Sequence, residues 1–239
     1  IRDHCVTGVQ TCALPIFGLR AGLPIEVPAL TVNRLCGSGI QAAVSGAHLI
    51  LTGEADIVLT GGMESMSQAP HVIRGLRTGL RLGQGQLEDT LWSALLDTQC
   101  GFTMAGTAEN CAKKYGITRE AQDEYALRSQ KLADAAWKSG RLKEEVVPVE
   151  LKSKKGTELF EQDDHMRPDS TMEGLAKLPP AFSKDGCVTA GNASGIVDGG
   201  AALLLASEEG VKRHGLKPLA RLTQWAYVGV EPSLMGMGP

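Results

Sequence analysis

Eight glycines of this chain fall into four short clusters next to apolar segments, and this arrangement constrains the fold more than any other feature of the sequence. Of the 239 residues, 29 are Gly, which exceeds the typical share of ~7%. The clusters are Cys36–Gly39, Thr60–Gly62, Ala190–Gly195 and Asp198–Gly200. Such groups are typical of tight turns and of close approaches between backbones, and not of a flexible linker.

The segment around the first cluster has the pattern of a strand, a helix and a second strand. Residues Glu26–Leu35 are rich in β-branched and apolar side chains and predict a strand that runs into a turn at Cys36–Gly39. Apolar residues then recur at helical steps along Ile40–Leu51, which predicts a helix. The apolar run Asp56–Thr60 is typical of a strand buried on both faces of a parallel sheet. Together these segments predict a βαβ unit and an α/β fold.

The region from about residue 67 to residue 189 is more polar and is predicted to be an inserted subdomain of helices and short strands. Thr118 is a suitable N-cap for a helix over Arg119–Ser139. The segments Glu145–Leu151 and Thr157–Phe160 flank a basic turn and predict a hairpin. The chain then returns to the composition of buried strands. There we predict a strand, a short helix and a last strand, at Gly199–Ser207, Glu208–His214 and Ala220–Gly229.

Charge and composition exclude several classes of protein. The chain has 24 Lys+Arg and 27 Asp+Glu, a net charge of −3, and 4% aromatic residues. Binding of nucleic acid requires a basic face or aromatic stacking platforms, so we expect no nucleic-acid partner. No apolar run is long enough to form a transmembrane helix, so we also expect no membrane partner.

The cysteines and histidines do not have the spacing of a disulfide scaffold or of a zinc site. The six Cys include no C-x-x-C pair, and the five His include no pair at helical spacing. We therefore predict that the chain binds no metal. Reduced thiols are typical of the cytoplasm, and we predict that location.

The two ends of the chain indicate an internal fragment of a longer protein. Residues Val6–Ile16 resemble the translation of a common sequencing adapter, so we predict that residues 1–16 are non-native and exclude them from the fold prediction. The chain begins at Ile1 and stops at Pro239 within a Gly-rich segment, so we expect truncation at both ends.

Cys36 is the residue whose position most directly suggests chemistry. At the start of a helix, unpaired N–H groups and the macrodipole favour negative charge, as on a thiolate or on the oxyanion of an attacked thioester. The alternative is a small buried Cys packed among glycines. The spacing alone supports both interpretations equally.

Three signatures resemble those of the thiolase family and occur in the family's order. They are Val32–Gly39 (VNRLCGSG), Gly61–Ser67 (GGMESMS) and Gly191–Gly199 (GNASGIVDG), with Thr107–Asn110 (TAEN) before the third. The resemblance covers about residues 17–239. It extends to both degradative 3-ketoacyl-CoA thiolases and acetoacetyl-CoA thiolases.

This resemblance implies the thiolase-like α/β fold, in which a mixed sheet made of βαβ units is covered by helices and carries an inserted α+β loop domain. Residues 17–66 and 197–219 would form part of the N-terminal thiolase domain. Residues 67–196 would form the CoA-binding loop domain, and residues 220–239 the start of the C-terminal thiolase domain. A homodimer or homotetramer is also implied.

The resemblance further implies that Cys36 is the catalytic nucleophile of an acyltransferase. It would attack the ketone carbon of a 3-ketoacyl-CoA, release acetyl-CoA and pass the remaining acyl group to CoA, as in fatty acid beta-oxidation. The reverse reaction is a Claisen condensation that forms acetoacetyl-CoA. No cofactor or metal is implied, because coenzyme A is itself a substrate.

Six further residues match the family's CoA contacts, and all of them fall in the inserted segment. They are Leu95, Met104, Arg167, Phe182, Ala190 and Ser194. Without the resemblance, Leu95, Met104 and Phe182 would be interpreted as ordinary core residues. Arg167 would be interpreted as a solvated charge.

Two catalytic groups of the family have no counterpart in these 239 residues. They are a general-base His in a Gly-His-Pro segment and a second Cys that exchanges the substrate α-proton. We therefore predict that the chain by itself is inactive as a thiolase. Two alternatives stay open, a CoA- or acyl-CoA-binding fragment without chemistry and a condensing enzyme of the ketoacyl synthase type.

Overall fold

The computed structural model describes residues 17–154 and 156–239, which form two compact units. The first unit contains the described residues up to Glu64 together with Asp198–Ala226, and the second contains Ser65–Val197 and Tyr227–Pro239. The segment predicted to be non-native, residues 1–16, lies outside the described residues. The domain boundaries implied by the resemblance stay a prediction. In the described part of the chain, no helix has the length and apolar character needed to cross a membrane.

Six helices and six strands are named here in chain order. They are α1 (Ser38–Leu51), β1 (Ile57–Ser65), β2 (His71–Ile73), β3 (Leu87–Asp89), α2 (Thr90–Leu95), α3 (Met104–Tyr115), α4 (Arg119–Lys138), β4 (Val149–Ser153), β5 (Gly156–Phe160), α5 (Met172–Ala176), β6 (Asp198–Ala206) and α6 (Glu208–His214). The predicted helices that correspond to α1, α4 and α6 are confirmed, as is the hairpin of β4 and β5.

Several helix ends are fixed by side chains and by glycines. Four hydroxyls each accept a hydrogen bond from the backbone N–H three residues later, those of Thr103, Thr118, Thr171 and Ser207. These caps satisfy N–H groups that have no partner inside the helix. Gly116 and Gly215 end α3 and α6 in the left-handed conformation, with φ of 66° and 61°. The predicted capping role of Thr118 is confirmed.

In the first unit, helix α1 packs directly on the sheet formed by β1 and β6. Val44 is 1% exposed, and the buried Gly46 lies so close to the sheet that a Cβ atom there would be 2.8 Å from Thr60 Cγ2 and 3.1 Å from Leu205 Cδ1. A larger side chain at Gly46 would overpack this contact. The helix that begins next to Cys36 is therefore held rigidly against the sheet.

Strands β1 and β6 are antiparallel, so the predicted parallel strand buried on both faces is wrong. Asp56 O accepts a hydrogen bond from Ser207 N at 2.8 Å, whereas four residues further on Thr60 Oγ1 donates to Leu203 O at 3.3 Å. The partner numbers fall as the chain advances along β1. Because α1 covers one face, Thr60 is buried, but Leu59, which points to the other face, is 52% exposed.

Two other predicted strands, Glu26–Leu35 and Ala220–Gly229, are also wrong. Neither is a strand among the described residues, and neither belongs to any of the two-stranded sheets β1–β6, β2–β3 and β4–β5. A strand needs a hydrogen-bonded neighbour, which apolar and β-branched composition alone cannot provide. Leu30 is accordingly 71% exposed. The predicted βαβ unit is thus reduced to α1 and β1.

The second unit is mainly helical, with two hairpins. Helix α3 packs against a 3₁₀ helix over Pro232–Met237, and Asn110 Nδ2 donates to Ser233 O at 3.0 Å. Helix α4 contributes the buried Trp137 to the core. It also contacts α5 through Arg119, whose guanidinium reaches the Leu175 carbonyl at 2.6 Å.

Candidate active site

Cys36 lies on the surface of the first unit, two residues before the start of α1. Its side chain is exposed, and Gly37 occupies the N-cap position of the helix. No side chain caps this helix start. The predicted position of Cys36 beside a helix N-terminus is confirmed, although the segment before it is an irregular turn and not a strand.

The backbone immediately before Cys36 is strained. Leu35 has φ of 47°, and it is the one residue other than glycine with positive φ in the described part of the chain. A leucine in this region costs about 1–3 kcal/mol, and such strain is typical of functional sites. Burial of the Leu35 side chain does not offset this energetic cost, because the residue is 66% exposed.

Hydrogen bonds within the turn hold this conformation. The Leu35 amide donates to Asn33 Oδ1 at 2.9 Å, and the Arg34 amide donates to Ser38 Oγ at 2.9 Å. The Ser38 hydroxyl in turn donates to Leu35 O at 2.6 Å. Asn33 and Ser38 therefore fix the backbone on both sides of Cys36 and keep its thiol at the surface.

The second unit contains an open cavity of about 440 Å³. Of the six predicted CoA contacts, Arg167 and Ala190 line this cavity, whereas Leu95, Met104, Phe182 and Ser194 are not among its lining residues. His165 is also part of the lining, and its ring lies where a Cβ atom at Gly195 would be, 2.1 Å from Cε1. The absence of a side chain at Gly195 thus makes room for this imidazole.

The loop that carries Arg167 is anchored to α4. The Arg167 amide donates to Gln130 Oε1 at 2.8 Å, and Lys131 Nζ donates to Pro168 O at 2.8 Å. The guanidinium donates to the carbonyls of Asp164 and Met166 at 2.7 and 3.0 Å. Both bonds use Nη1, so the fixed fork of the guanidinium has other N–H groups with which it can bind an anion.

The other four predicted contacts lie at separate places in the second unit. Leu95 is the last residue of α2 and Met104 the first residue of α3, and both are half-buried. Phe182 is 49% exposed, and Ser194 is exposed. Their roles in CoA binding stay predictions.

A buried polar cluster lies behind the cavity. Asp123, on α4, is 2% exposed and accepts hydrogen bonds from Arg119 Nε at 2.7 Å and from Asn192 Nδ2 at 2.9 Å. Asn192 Oδ1 accepts from the amide of Thr189, a residue with no exposed surface, at 2.7 Å. Each of these polar groups has a partner, as buried polar groups require.

A second carboxylate, Glu109 of α3, binds the backbone just before this cluster. It accepts hydrogen bonds from the amides of Cys187 and Val188 at 3.0 and 2.9 Å and from the Cys187 thiol at 3.1 Å. Partial burial opposes ionisation, but these bonds outweigh it, so the pKa of the Glu109 carboxyl lies below its ordinary value. Glu109 thus binds the segment in its charged form.

We expect Glu109→Gln to lower the free energy of unfolding by about 2 kcal/mol at pH 7, because its amide cannot accept from all three donors. The lowered pKa means that this stabilisation is complete above the ordinary value of 4.5 and is lost as the pH falls through the folded-state pKa. The difference between wild type and variant in urea unfolding should therefore be constant between pH 7 and pH 4.5 and should shrink as the pH is lowered further.

Glu124→Gln is the matched control, because Glu124 is exposed on α4. Its effect should stay within about 0.5 kcal/mol at both pH values. If Glu109→Gln destabilises the protein equally at neutral and acidic pH, the ionised carboxylate is not the source of the stabilisation.

Sequence reasoning did not identify Asn33, Leu35, Glu109, Asp123 or Asn192. A positive φ at leucine has no sequence signal, because leucine has no preference for it. The partners of Glu109 and the Asn192 partner of Asp123 lie 69–79 residues away in the chain, so local patterns could not reveal them. The i,i+4 spacing of Arg119 and Asp123 is a local signal for that ion pair. Asn192 stands within one of the quoted signatures, but its spacing suggested only a turn.

Comparison with known proteins identifies relatives along nearly the whole chain. A family model described as "Thiolase, N-terminal domain" matches residues 13–209. The chain is 52% identical to the mitochondrial 3-ketoacyl-CoA thiolase of Homo sapiens over 223 residues, 93% of this chain and 56% of that protein. It is also 51% identical to an acetyl-CoA acetyltransferase of Chromobacterium violaceum. That alignment covers 92% of this chain and 57% of that protein.

Solved structures give the same result. The crystal structure of human mitochondrial 3-ketoacyl-CoA thiolase matches with a TM-score of 0.91 and 51% identity over 95% of this chain and 57% of that chain. A structure of the same human protein in complex with CoA matches with a TM-score of 0.88 and 51% identity, over 93% of this chain and 55% of that chain. The predicted thiolase-like fold is confirmed. The chain spans slightly more than half the length of the curated relatives it matches, and it belongs to the thiolase family.

Proposed function

We propose that this chain is part of an acetyl-CoA C-acyltransferase, a thiolase in which Cys36 transfers an acyl group between a 3-ketoacyl-CoA and CoA. Relatives of both the 3-ketoacyl-CoA thiolase and the acetyl-CoA acetyltransferase kind support this class of reaction. Run in reverse, the same chemistry joins two acetyl-CoA molecules to give acetoacetyl-CoA and CoA. These substrates are those of fatty acid metabolism.

In the proposed cleavage, the Cys36 thiolate attacks the ketone carbon of the substrate, and an S–C bond forms. The bond between C2 and C3 then breaks, and its electron pair stays on C2 as the enolate of acetyl-CoA, which takes up a proton. The thiol of free CoA next loses its proton and attacks the acyl-Cys36 thioester. Acyl-CoA leaves and the Cys36 thiolate is restored, so the cycle needs no oxidant, metal or bound cofactor.

The single observation that carries this proposal is the exposed Cys36 thiol, presented by a strained turn at the start of a helix. Packing of the Leu35 side chain does not stabilise the strained backbone, because that side chain is exposed. Strain of this kind persists where the surrounding structure enforces it for function. The helix start adds backbone N–H groups and the positive end of the macrodipole, both of which favour the anionic states of an acyl transfer.

The other described cysteines are poorer nucleophiles. Cys111 is buried, whereas Cys100 and Cys187 are half-buried. Burial, together with the Glu109 carboxylate that accepts its hydrogen bond, raises the pKa of the Cys187 thiol. Since the thiolate is the reactive form, Cys187 is disfavoured as the acyl carrier.

Acetyl-CoA should therefore acetylate Cys36 and not the other cysteines in the full-length protein, by which we mean the chain extended to the length of its relatives. Peptide mass spectrometry after brief treatment with acetyl-CoA would detect a thioester on the peptide that contains Cys36. Addition of free CoA should remove it, because CoA is the proposed acceptor.

The matched control is the same treatment of Cys36→Ala, in which the adduct should be absent from every peptide. Acetylation of Cys100, Cys111 or Cys187 in place of Cys36 would refute the assignment of the nucleophile. An adduct on Cys36 that free CoA cannot remove would contradict the proposed transfer step.

A homodimer or homotetramer is part of the proposal, as is a cytoplasmic location. The oligomer rests on the sequence resemblance, and the location rests on the reduced cysteines predicted from the sequence. The cavity of the second unit is the proposed site for part of CoA, because it combines the Arg167 guanidinium with apolar walls around Ala190.

A further inference from the structure

We infer that the buried Asp123 is a positioning residue that joins the two walls of the 440 Å³ cavity and so sets its affinity for CoA. The first wall is defined as Leu175–Leu178 and the second as Ala190–Ala193, and residues of both line the cavity. This inference rests on the proposed function, because it assumes that the cavity binds CoA.

One oxygen of the Asp123 carboxylate holds the first wall through Arg119. Arg119 Nε donates to Asp123 Oδ2 at 2.7 Å, and this ion pair fixes the plane of the guanidinium. Nη2 of the same group donates to the carbonyls of Leu175 and Leu178 at 2.6 and 3.0 Å. The guanidinium thus binds the end of α5 at two points.

The other oxygen holds the second wall through Asn192. Asn192 Nδ2 donates to Asp123 Oδ1 at 2.9 Å and to the Cys187 carbonyl at 3.0 Å, while its Oδ1 accepts from the Thr189 amide at 2.7 Å. The amides of Gly191 and Ala193 also donate to Thr189, at its hydroxyl and its carbonyl. The second wall is therefore a closed turn whose orientation depends on Asn192.

The two walls meet at Gly191, so a change in one displaces the other. A Cβ atom at Gly191 would lie 2.5 Å from Leu175 Cδ2 and 2.6 Å from Leu178 Cδ1. Contact this close leaves little tolerance in the separation of the walls. Within residues 17–154 and 156–239, Asp123 is the one group that binds Arg119 of the first wall's anchor and Asn192 of the second wall at once.

The position of Asp123 behind the walls suggests that it acts on binding more than on folding. Glu109 holds the amides of Cys187 and Val188 independently, so the segment stays attached to α3 when Asp123 is changed. In Asp123→Asn, the NH₂ group of the new amide faces either Arg119 Nε or Asn192 Nδ2. Both of those groups are themselves donors, so one of the two hydrogen bonds is lost. One wall would then lose its anchor, while the helix that carries position 123 would remain.

The test is the affinity of the full-length protein for coenzyme A, measured by isothermal titration calorimetry. Asp123→Asn should raise the Kd for CoA about tenfold, and KM for CoA should rise similarly while kcat changes less than about twofold. Asp134→Asn is the matched control, because Asp134 lies on the same helix and pairs with Lys138 at 2.7 Å, away from both walls. Its Kd should equal that of the wild type.

Two further variants separate positioning from general stability. The exchange Asp123→Asn with Asn192→Asp again pairs a donor with an acceptor between the two positions, but it removes the donor to the Cys187 carbonyl, so it should recover only part of the lost affinity. Arg119→Lys retains a positive charge but cannot supply the forked donors, and it should weaken CoA binding even if Asp123→Asn fails to fold.

The possible results of these experiments test the role of Asp123 and the proposed function separately. Wild-type affinity in Asp123→Asn and Arg119→Lys would overturn the inference. A parallel fall in kcat with no change in KM for CoA would also overturn it. Failure of the wild-type protein to bind CoA would refute the proposed function itself, which this experiment therefore tests separately.

Discussion

Replacement of Cys36 by alanine should lower the rate of CoA-dependent cleavage of acetoacetyl-CoA by at least about 10⁴-fold in the full-length protein, because removal of a covalent nucleophile abolishes the acyl intermediate. The backbone N–H groups of the turn and the CoA contacts would remain. Binding of CoA should therefore be unchanged within about twofold, so the loss falls on kcat. Initial rates of substrate loss, together with calorimetric Kd values for CoA, would measure both quantities.

Cys100→Ala is the matched control for this experiment. Cys100 is half-buried in the second unit, and its side chain has no proposed role in acyl transfer. Its rate should remain near that of the wild type. If Cys36→Ala retains more than about a tenth of the wild-type rate, then Cys36 is not the acyl carrier, and the strain at Leu35 needs another explanation.

The elements that could be predicted are those whose signals are local. Helix α4 has Thr118 as its N-cap, and α6 ends at Gly215, so both ends carry residues with a specific backbone role. The hairpin of β4 and β5 and the strand predicted at Gly199–Ser207 are confirmed, but two other predicted strands are wrong because a strand requires a neighbour. Residues 26–35 have the composition of a strand, yet in the described part of the chain no strand pairs with them.

The residues of the candidate site also divide into those with a local sequence signal and those without one. Cys36 could be predicted because its glycine-rich signature and the following helix are continuous in sequence. The strain at Leu35 and the contacts of Asp123 with Asn192 could not be predicted, since the first depends on the turn held by Ser38 and the second joins positions 69 residues apart. The resemblance identified Arg167 and Ala190, but it gave no reason for their positions, which the structure relates to one cavity.

The 239-residue chain by itself should show no detectable cleavage of acetoacetyl-CoA, although it should bind CoA. Loss of a general base typically removes about 10²–10⁴ in rate, and the resemblance places that base in a Gly-His-Pro segment that these residues do not contain. The resemblance also implies an Asn that positions a water in a second oxyanion hole, which likewise has no counterpart in these residues, and loss of such a donor removes a further ~10²–10³. The product of the two factors lies below the sensitivity of an ordinary rate assay.

His48, the histidine of α1, does not offer a substitute base at Cys36. His48 lies on α1, ten residues after its start at Ser38, which places it about 15 Å along the helix. Its ring instead contacts Trp225, with 5.2 Å between the ring centroids.

Calorimetric binding of CoA to the same sample is the control for folding. All six predicted CoA contacts lie in the second unit, so binding would show that this unit is folded. A negative rate assay would then reflect missing catalytic groups and not a misfolded chain. The full-length protein, assayed at equal concentration, serves as the positive control. CoA-dependent turnover by the 239-residue chain would mean that a residue within it acts as the base. The assignment of the catalytic base to the Gly-His-Pro segment would then be wrong, whereas the role of Cys36 could still be judged from its alanine variant.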